Sequence, residues 1–158
     1  MRPLVIRQAT ASDLTTINRF QRGIVAAERP FDRTVREGEV QYYDIPALLA
    51  SDQVMFVVAE SGVEPVGCGF VRIEAAKPYL KHSKHGYLGL MYVEPAYRGQ
   101  SVNGKIIEVL KTWAQTRGVT ELRLEVYRDN GTAIRAYEKA GFRPLILEMR
   151  LGLGGENP

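Results

Sequence analysis

The chain of 158 residues has room for one domain with a sizeable core and little for a second. Its 45% hydrophobic and 25% charged residues are a soluble globular balance, and its longest apolar runs, such as Val54 to Ala59, are far too short to span a bilayer, so no membrane partner is expected. A net charge of +3 suits an anionic ligand such as a polyphosphate, but no dense Lys/Arg run is present, so nucleic acid is not an expected partner.

The elements follow in chain order. Leu4 to Arg7 predicts a first strand. Thr10 and Asp13 have capping-box spacing, and Leu14, Ile17, Phe20 (or Gln21) and Ile24 continue at helical spacing, so a helix is expected over about residues 12–27. A polar, irregular stretch runs from Arg29 to Val40, and Asp44 can cap a short helix through Leu49. Met55 to Glu60 and Val66 to Glu74 read as a hairpin about the turn Ser61 to Pro65. Lys77 to Lys84 is a polar connection, and Tyr87 to Val93 is a strand stopped by Pro95. Val102, Ile106, Val109 (with Leu110) and Trp113 share one helical face, and Gly118 ends that helix. Leu122 to Tyr127 alternates as a strand, Asp129 or Asn130 can cap a helix ending at Gly141, and Pro144 to Leu151 predicts a last strand. The order β, α, α, β, β, β, α, β, α, β implies an α+β chain, or three-layer α/β/α, with a mixed central sheet. Residues 1–151 are expected to form one domain and 152–158, Gly-rich with a terminal Pro, a short flexible tail.

The first residues have no apolar signal core, and the lone Cys68 permits no internal disulfide, so a cytoplasmic protein is expected. Cys68 lies inside a strand pattern, where packing rather than nucleophilic catalysis is the default. His82 and His85 have no carboxylate or cysteine at ligand spacing, and no metal is expected.

The densest chemical signal is the loop Tyr97-Arg98-Gly99-Gln100-Ser101-Val102-Asn103-Gly104-Lys105, between a strand and an amphipathic helix. Helix N-termini carry unpaired N–H groups and partial positive charge, so a small-residue loop there can hold a phosphate. Gly99 and Gly104 remove side-chain bulk, Arg98 can add a charge-assisted contact, and Ser101 or Asn103 can cap the helix. An ordinary capped helix after a turn is the competing reading. The loop is no nucleotide P-loop, because Ile106 stands where Ser or Thr would hold magnesium, and it lacks the three-glycine dinucleotide spacing.

Loop and flanks together resemble the GNAT superfamily of N-acetyltransferases over nearly the whole chain, most densely from Tyr87 to Phe142. Leu90 to Gln100 is similar to the family's coenzyme-binding strand and pyrophosphate loop, and Leu124 to Phe142 to its second motif. The resemblance implies a mostly antiparallel sheet with one splayed parallel pair, 87–93 and 122–127. It implies acetyl-CoA as co-substrate, with the pantetheine arm on strand backbone around Met91 and Val93 and the pyrophosphate on the amides of Gly99, Gln100, Ser101, Val102, Asn103 and Gly104. Asn130 matches the asparagine that bonds the arm, a role that can coexist with capping. One departure stands out: Ser101 and Asn103 occupy the two small positions of the family loop, and a glycine arrives one place later at Gly104.

Acetyl transfer to an amine needs a neutral amine, a stabilised oxyanion and a proton for the leaving thiolate. The resemblance puts the Tyr137 hydroxyl beside the coenzyme sulfur as general acid; by spacing alone Ala133, Tyr137 and Ala140 equally suit a sheet-facing core stripe. A strand N–H near Met91 or Tyr92 is the expected oxyanion donor. Tyr87 stands where some family members carry a glutamate base, which leaves Glu28, Glu60, Glu74, Glu125, His82 and His85 as chemical candidates. Tyr42-Tyr43-Asp44 can face a cationic amine or merely pack the short helix. The expected function is direct acetyl transfer to a primary amine of a small molecule, protein or peptide. The rival is a non-catalytic acyl-CoA sensor, which would not need the Tyr137 hydroxyl. Exposed edges of mixed sheets pair readily, so a homodimer is an open expectation.

Overall fold

The computed structural model describes residues 2–155. A five-stranded sheet is built from β1 (Leu4–Gln8), β2 (Val54–Ser61), β3 (Glu64–Ala75), β4 (Lys84–Val93) and β5 (Leu122–Arg123), in the spatial order β1-β2-β3-β4-β5. The first four strands pair antiparallel and β4–β5 is parallel, as expected. Period-two alternation divides the core between two faces. Phe56 and Val58 face α1 (Leu14–Glu28) and α2 (Ile45–Ala50), where they pack with Ile17, Phe20, Ile45, Leu48, Phe70 and Leu90. Val57 and Ala59 face α3 (Val102–Thr116), where they pack with Val66, Val71, Leu88, Ile106, Ile107 and Leu110. Tyr137 of α4 (Gly131–Lys139) and Phe142 pack against that second cluster, so the three-layer expectation holds.

Local chemistry sets several boundaries. Thr10 and Asp13 form the capping box, but it opens a single 3-10 turn at Ala11–Asp13 and α1 starts only at Leu14. Asp13 is retained by Arg7, whose guanidinium bonds both its carboxylate oxygens at 2.9 and 2.8 Å and also bonds Glu60 on β2. Asp44 caps α2 by accepting from the Ala47 N–H at 3.1 Å. Asn130, not Asp129, caps α4 by accepting from the Ala133 N–H at 3.2 Å.

Three expectations are corrected. β4 begins at Lys84, not Tyr87, so His85 is a buried strand residue and not part of a connection. β5 keeps only Leu122–Arg123 of the predicted 122–127, because β4 bends away beyond Tyr87 and takes the pairing partner with it. Residues 144–151 join no sheet: Leu145, Ile146, Leu147, Met149 and Leu151 are 62 to 85% exposed. The expected tail 152–158 falls partly outside the described residues.

Candidate functional site

The site begins with a break in β4. Cys68 pairs with Tyr92 and Phe70 with Gly89, so Leu90 and Met91 together oppose Gly69 as a bulge. Leu90 adopts a left-handed conformation, φ 51°. Its side chain is buried, and its carbonyl accepts the Cys68 thiol at 3.3 Å. Such a conformation costs a non-glycine residue about 1–2 kcal/mol, which the surrounding core and this thiol contact offset. Burial pushes the Cys68 thiol well above its ordinary pKa, so this cysteine supports the bulge and is no nucleophile.

The bulge splays the parallel pair. Gly86 pairs with Leu122 and Tyr87 with Arg123, and there the β4–β5 ladder stops. The Glu94 N–H donates to the Val66 carbonyl at 2.8 Å, so by antiparallel alternation beyond the bulge Tyr92 also turns its N–H toward β3 while Val93 turns its own toward the gap. Of the two expected oxyanion donors, Tyr92 therefore turns its N–H away from the gap. The Val93 carbonyl accepts from Arg98 Nε at 3.0 Å. The Tyr92 ring lies against Phe20 at 5.1 Å and its hydroxyl donates to Glu94, so Tyr92 faces α1 and offers the gap no side chain.

Below the gap, Pro95–Tyr97 forms one 3-10 turn and α3 begins at Val102. Gly99 has φ +76° and Ser101 φ 62°, so the backbone makes two left-handed steps before the helix. Among the described residues, none of the amides of Gly99, Gln100, Ser101, Val102, Asn103 and Gly104 has an intramolecular acceptor; the first helical bond runs from the Lys105 N–H to the Ser101 carbonyl at 3.1 Å. Successive free N–H groups at a helix N-terminus form an anion-binding concavity. Ser101 makes no side-chain cap bond, which leaves those donors unspent. The side chain of Val102 is buried beneath the helix, so only its amide can face a ligand. Gln100 anchors the loop through the Ala96 carbonyl at 3.1 Å, and Arg98 is partly committed to the strand end instead of projecting freely.

On the far side of the gap stands Tyr137, packed edge-on to Phe142 with centroids 5.9 Å apart. Its hydroxyl makes no hydrogen bond among the described residues. Its pKa is pushed up to about 12, first by burial and then by Glu28 and Tyr43. Those two groups belong to the opposite layer, so Tyr137 reaches their field through the splayed strands. Near it is Tyr43, whose hydroxyl is 3.4 Å from that of Tyr87, while Tyr127 is stacked on Phe31 with its hydroxyl donating to Asp32 at 3.4 Å.

The base candidates now separate. Glu60 is held by Arg7, and Glu74 is held by Arg72 at 2.7 Å and faces His85. His82, His85 and Glu121 converge at the outer end of the β4–β5 ladder, with ligand atoms within 4.8 Å of one another. The sequence shows no such carboxylate near the histidines; the parallel pairing supplies it. Glu121 is already bonded by Arg123 at 2.6 Å, which makes this an ion-paired strand end away from the gap. Glu125 is exposed. Glu28 remains: it is half-buried at the end of α1, burial raises its pKa, and its charge is felt by Tyr42, Tyr43, Tyr127 and Tyr137. A shallow groove of about 460 Å³ between the start of α1 and residues 41–46 lies on the outer side of this segment; the unpaired amides and the perturbed hydroxyls mark the gap instead.

A mixed sheet with a splayed parallel pair, and an amide-lined loop heading the helix between those two strands, defines a scaffold built to hold an extended anionic ligand. The model of the Acetyltransferase (GNAT) family matches residues 21–142, and the chain belongs to that family. It is 31% identical over 94 residues to IAA acetyltransferase of Azospirillum brasilense, covering 60% of this chain and 58% of that one. It is 31% identical over 78 residues to N-alpha-acetyltransferase 30 of Saccharomyces cerevisiae, covering 49% and 43%. The chain thus spans about half the length of these relatives. Among solved structures, a predicted acetyltransferase with acetyl-CoA from Clostridium acetobutylicum superposes with a TM-score of 0.73 at 19% identity, covering 96% of this chain and 97% of the other. A tetramutant of the BH1408 protein from Bacillus halodurans superposes at 0.84, also at 19% identity, covering 94% and 99%. At such identity these structures establish the fold. Among the described residues no helix is long and apolar enough to cross a membrane.

Proposed function

We propose that the chain is an acetyl-CoA-dependent N-acetyltransferase that passes the acetyl group directly to a primary amine. The observation that carries this reading is the run of unspent amides from Gly99 to Gly104 leading into a gap faced by the Tyr137 hydroxyl. The loop holds the pyrophosphate, and the N–H of Val93 and the side-chain amide N–H of Asn130 bind the arm. The Met91 N–H faces the oxygen that becomes anionic on attack. Glu28, its pKa raised by burial, takes a proton from the arriving ammonium so that the amine can attack the thioester carbon. Tyr137 holds its proton throughout the working pH range and gives it to the leaving thiolate, and the proton that the amine nitrogen sheds as the amide forms restores the phenol.

Tyrosines 42, 43, 87 and 127 with Glu28 and Asp32 make the acceptor side anionic and aromatic, which suits a cationic amine on a small molecule or a peptide. Calorimetric titration with acetyl-CoA, with thiol release followed across a panel of amines, tests the reading. Binding with amine-dependent release supports it; binding without release from any amine favours a coenzyme sensor, and absence of binding removes the proposal.

A further inference from the structure

The outer end of the β4–β5 ladder gathers side chains that acetyl transfer does not use. His82 lies in the connection 76–83, His85 on β4, and Glu121 immediately before β5. The Gly86 N–H donates to the Glu121 carbonyl at 2.9 Å and Gly86 pairs with Leu122, so the parallel register brings Glu121 to the start of β4. One ring nitrogen from each histidine and one Glu121 oxygen lie within 4.8 Å of one another. Each ring keeps a buried nitrogen with no hydrogen-bond partner among the described residues, Nε2 of His82 and Nδ1 of His85. Buried polar atoms are rarely left unpaired, and those that are call for a water or an ion.

The geometry and the supports both fit a metal ion. His82 Nε2 stands 3.4 Å from Glu121 Oε2 without the alignment of a hydrogen bond. That separation matches one edge of a tetrahedron whose corners lie about 2.1 Å from its centre, the length of zinc bonds to imidazole nitrogen and carboxylate oxygen. His85 is buried, its Nε2 faces Glu74 Oε2 at 3.6 Å, and Glu74 is itself held by Arg72 at 2.7 Å. A carboxylate facing one imidazole nitrogen keeps the proton there and leaves the other, here Nδ1, as a lone-pair donor. Arg123 bonds Glu121 Oε2 at 2.6 Å, which fixes this carboxylate and still leaves lone pairs on both its oxygens. Ligating carboxylates commonly carry such an outer hydrogen bond, so the ion pair and a bound metal are compatible.

We propose that His82, His85 and Glu121 bind one zinc ion, with water completing its coordination. Two imidazoles and a carboxylate suit the tetrahedral preference and borderline softness of zinc. The role is structural. The β4–β5 ladder holds only the pairs Gly86–Leu122 and Tyr87–Arg123 before the strands part. An ion held by β4, by the residue before β5 and by the connection 76–83 crosslinks the closed end of the splayed pair, where backbone pairing is shortest. It lies away from the gap and takes no part in the transfer.

Calorimetric titration of chelator-treated, tag-free protein with zinc chloride reads the site directly, because His82 and His85 are the only histidines and Cys68 is buried. One equivalent should bind with micromolar or tighter affinity and raise the thermal midpoint. His82→Ala, in the connection, and Glu121→Gln each remove a ligand and should abolish both the binding and the shift. Glu74→Gln keeps all three ligands and loses only the support of His85, so it should weaken binding by about tenfold or more. Circular dichroism of the metal-free proteins checks that the three variants fold. Zinc binding only at millimolar concentration, or tight binding that survives His82→Ala or Glu121→Gln, overturns the proposal. Acetyl-CoA affinity, measured on the same metal-free protein, reports on the loop and the gap independently of the ion.

Discussion

Replacing Gly99 by alanine tests the loop with a single methyl group. A Cβ at Gly99 meets nothing within 4 Å, so the effect is conformational and not steric. At φ +76° an L-residue pays about 1–2 kcal/mol, offset by about 0.4–1 kcal/mol from the stiffer unfolded chain, for a net loss of about 1 kcal/mol. Ser101→Gly reverses the argument at φ 62°: relief of a similar strain, less the entropy of a freer unfolded chain, leaves a gain of up to ~1 kcal/mol. Urea unfolding measures both. If alanine instead drives the loop out of its left-handed step, the amides of Gln100 to Val102 turn away from the ligand, and about 1 kcal/mol corresponds to roughly fivefold weaker acetyl-CoA binding. Calorimetry with acetyl-CoA and with acetyl-pantetheine, which lacks the pyrophosphate, separates the contacts: only the former should weaken. Equal weakening for both, or stability changes of the same sign in the two variants, would refute the reasoning.

Further outcomes follow from the gap and its supports. Tyr137→Phe removes only the hydroxyl, so kcat should fall by about 10²-fold or more with acetyl-CoA affinity unchanged, read by steady-state kinetics beside calorimetry. The native phenol, with its pKa at about 12 in the fold against 10.0 for the free side chain, stays neutral after unfolded tyrosines ionise. Its contribution to stability is therefore constant below pH 10 and gained by the unfolded state above it, so stability should fall between pH 10 and 12 and do so less in Tyr137→Phe. Glu28→Gln should lower kcat and abolish the acid limb of its pH profile, a limb lying above the ordinary carboxylate range because burial raises this pKa. Cys68→Ala removes the donor to the Leu90 carbonyl and should destabilise by about 1–2 kcal/mol in urea, a loss that Cys68→Ser, which can restore the bond, should reduce.

Much of this protein is written at short range. The helix α3 follows from the spacing of Val102, Ile106 and Leu110, the caps of α2 and α4 from Asp44 and Asn130, and the β2–β3 hairpin from alternation about Gly62. The loop of unspent amides is legible for the same reason: consecutive free backbone N–H groups need only a strand, a left-handed glycine and a helix start in sequence. The family resemblance, carried by that loop and the stretch around Tyr137, likewise rests on contiguous residues.

What depends on distant pairing was not legible. Nothing in Leu90 announces a left-handed residue; the bulge exists because Cys68 and Phe70 set the register of β3 against β4. That bulge lies just beyond the point where the β4–β5 ladder ends, and the strands part there so that Tyr137 comes within the field of Glu28 and Tyr43. Glu28 stands out among six base candidates only once Arg7 is seen to hold Glu60, Arg72 to hold Glu74 and Arg123 the Glu121 beside the histidines, with Glu125 exposed. The segment 144–151 illustrates the limit most directly. Its alternation predicts a strand that the structure does not form: a strand exists only where another backbone receives its hydrogen bonds, and among the described residues none does.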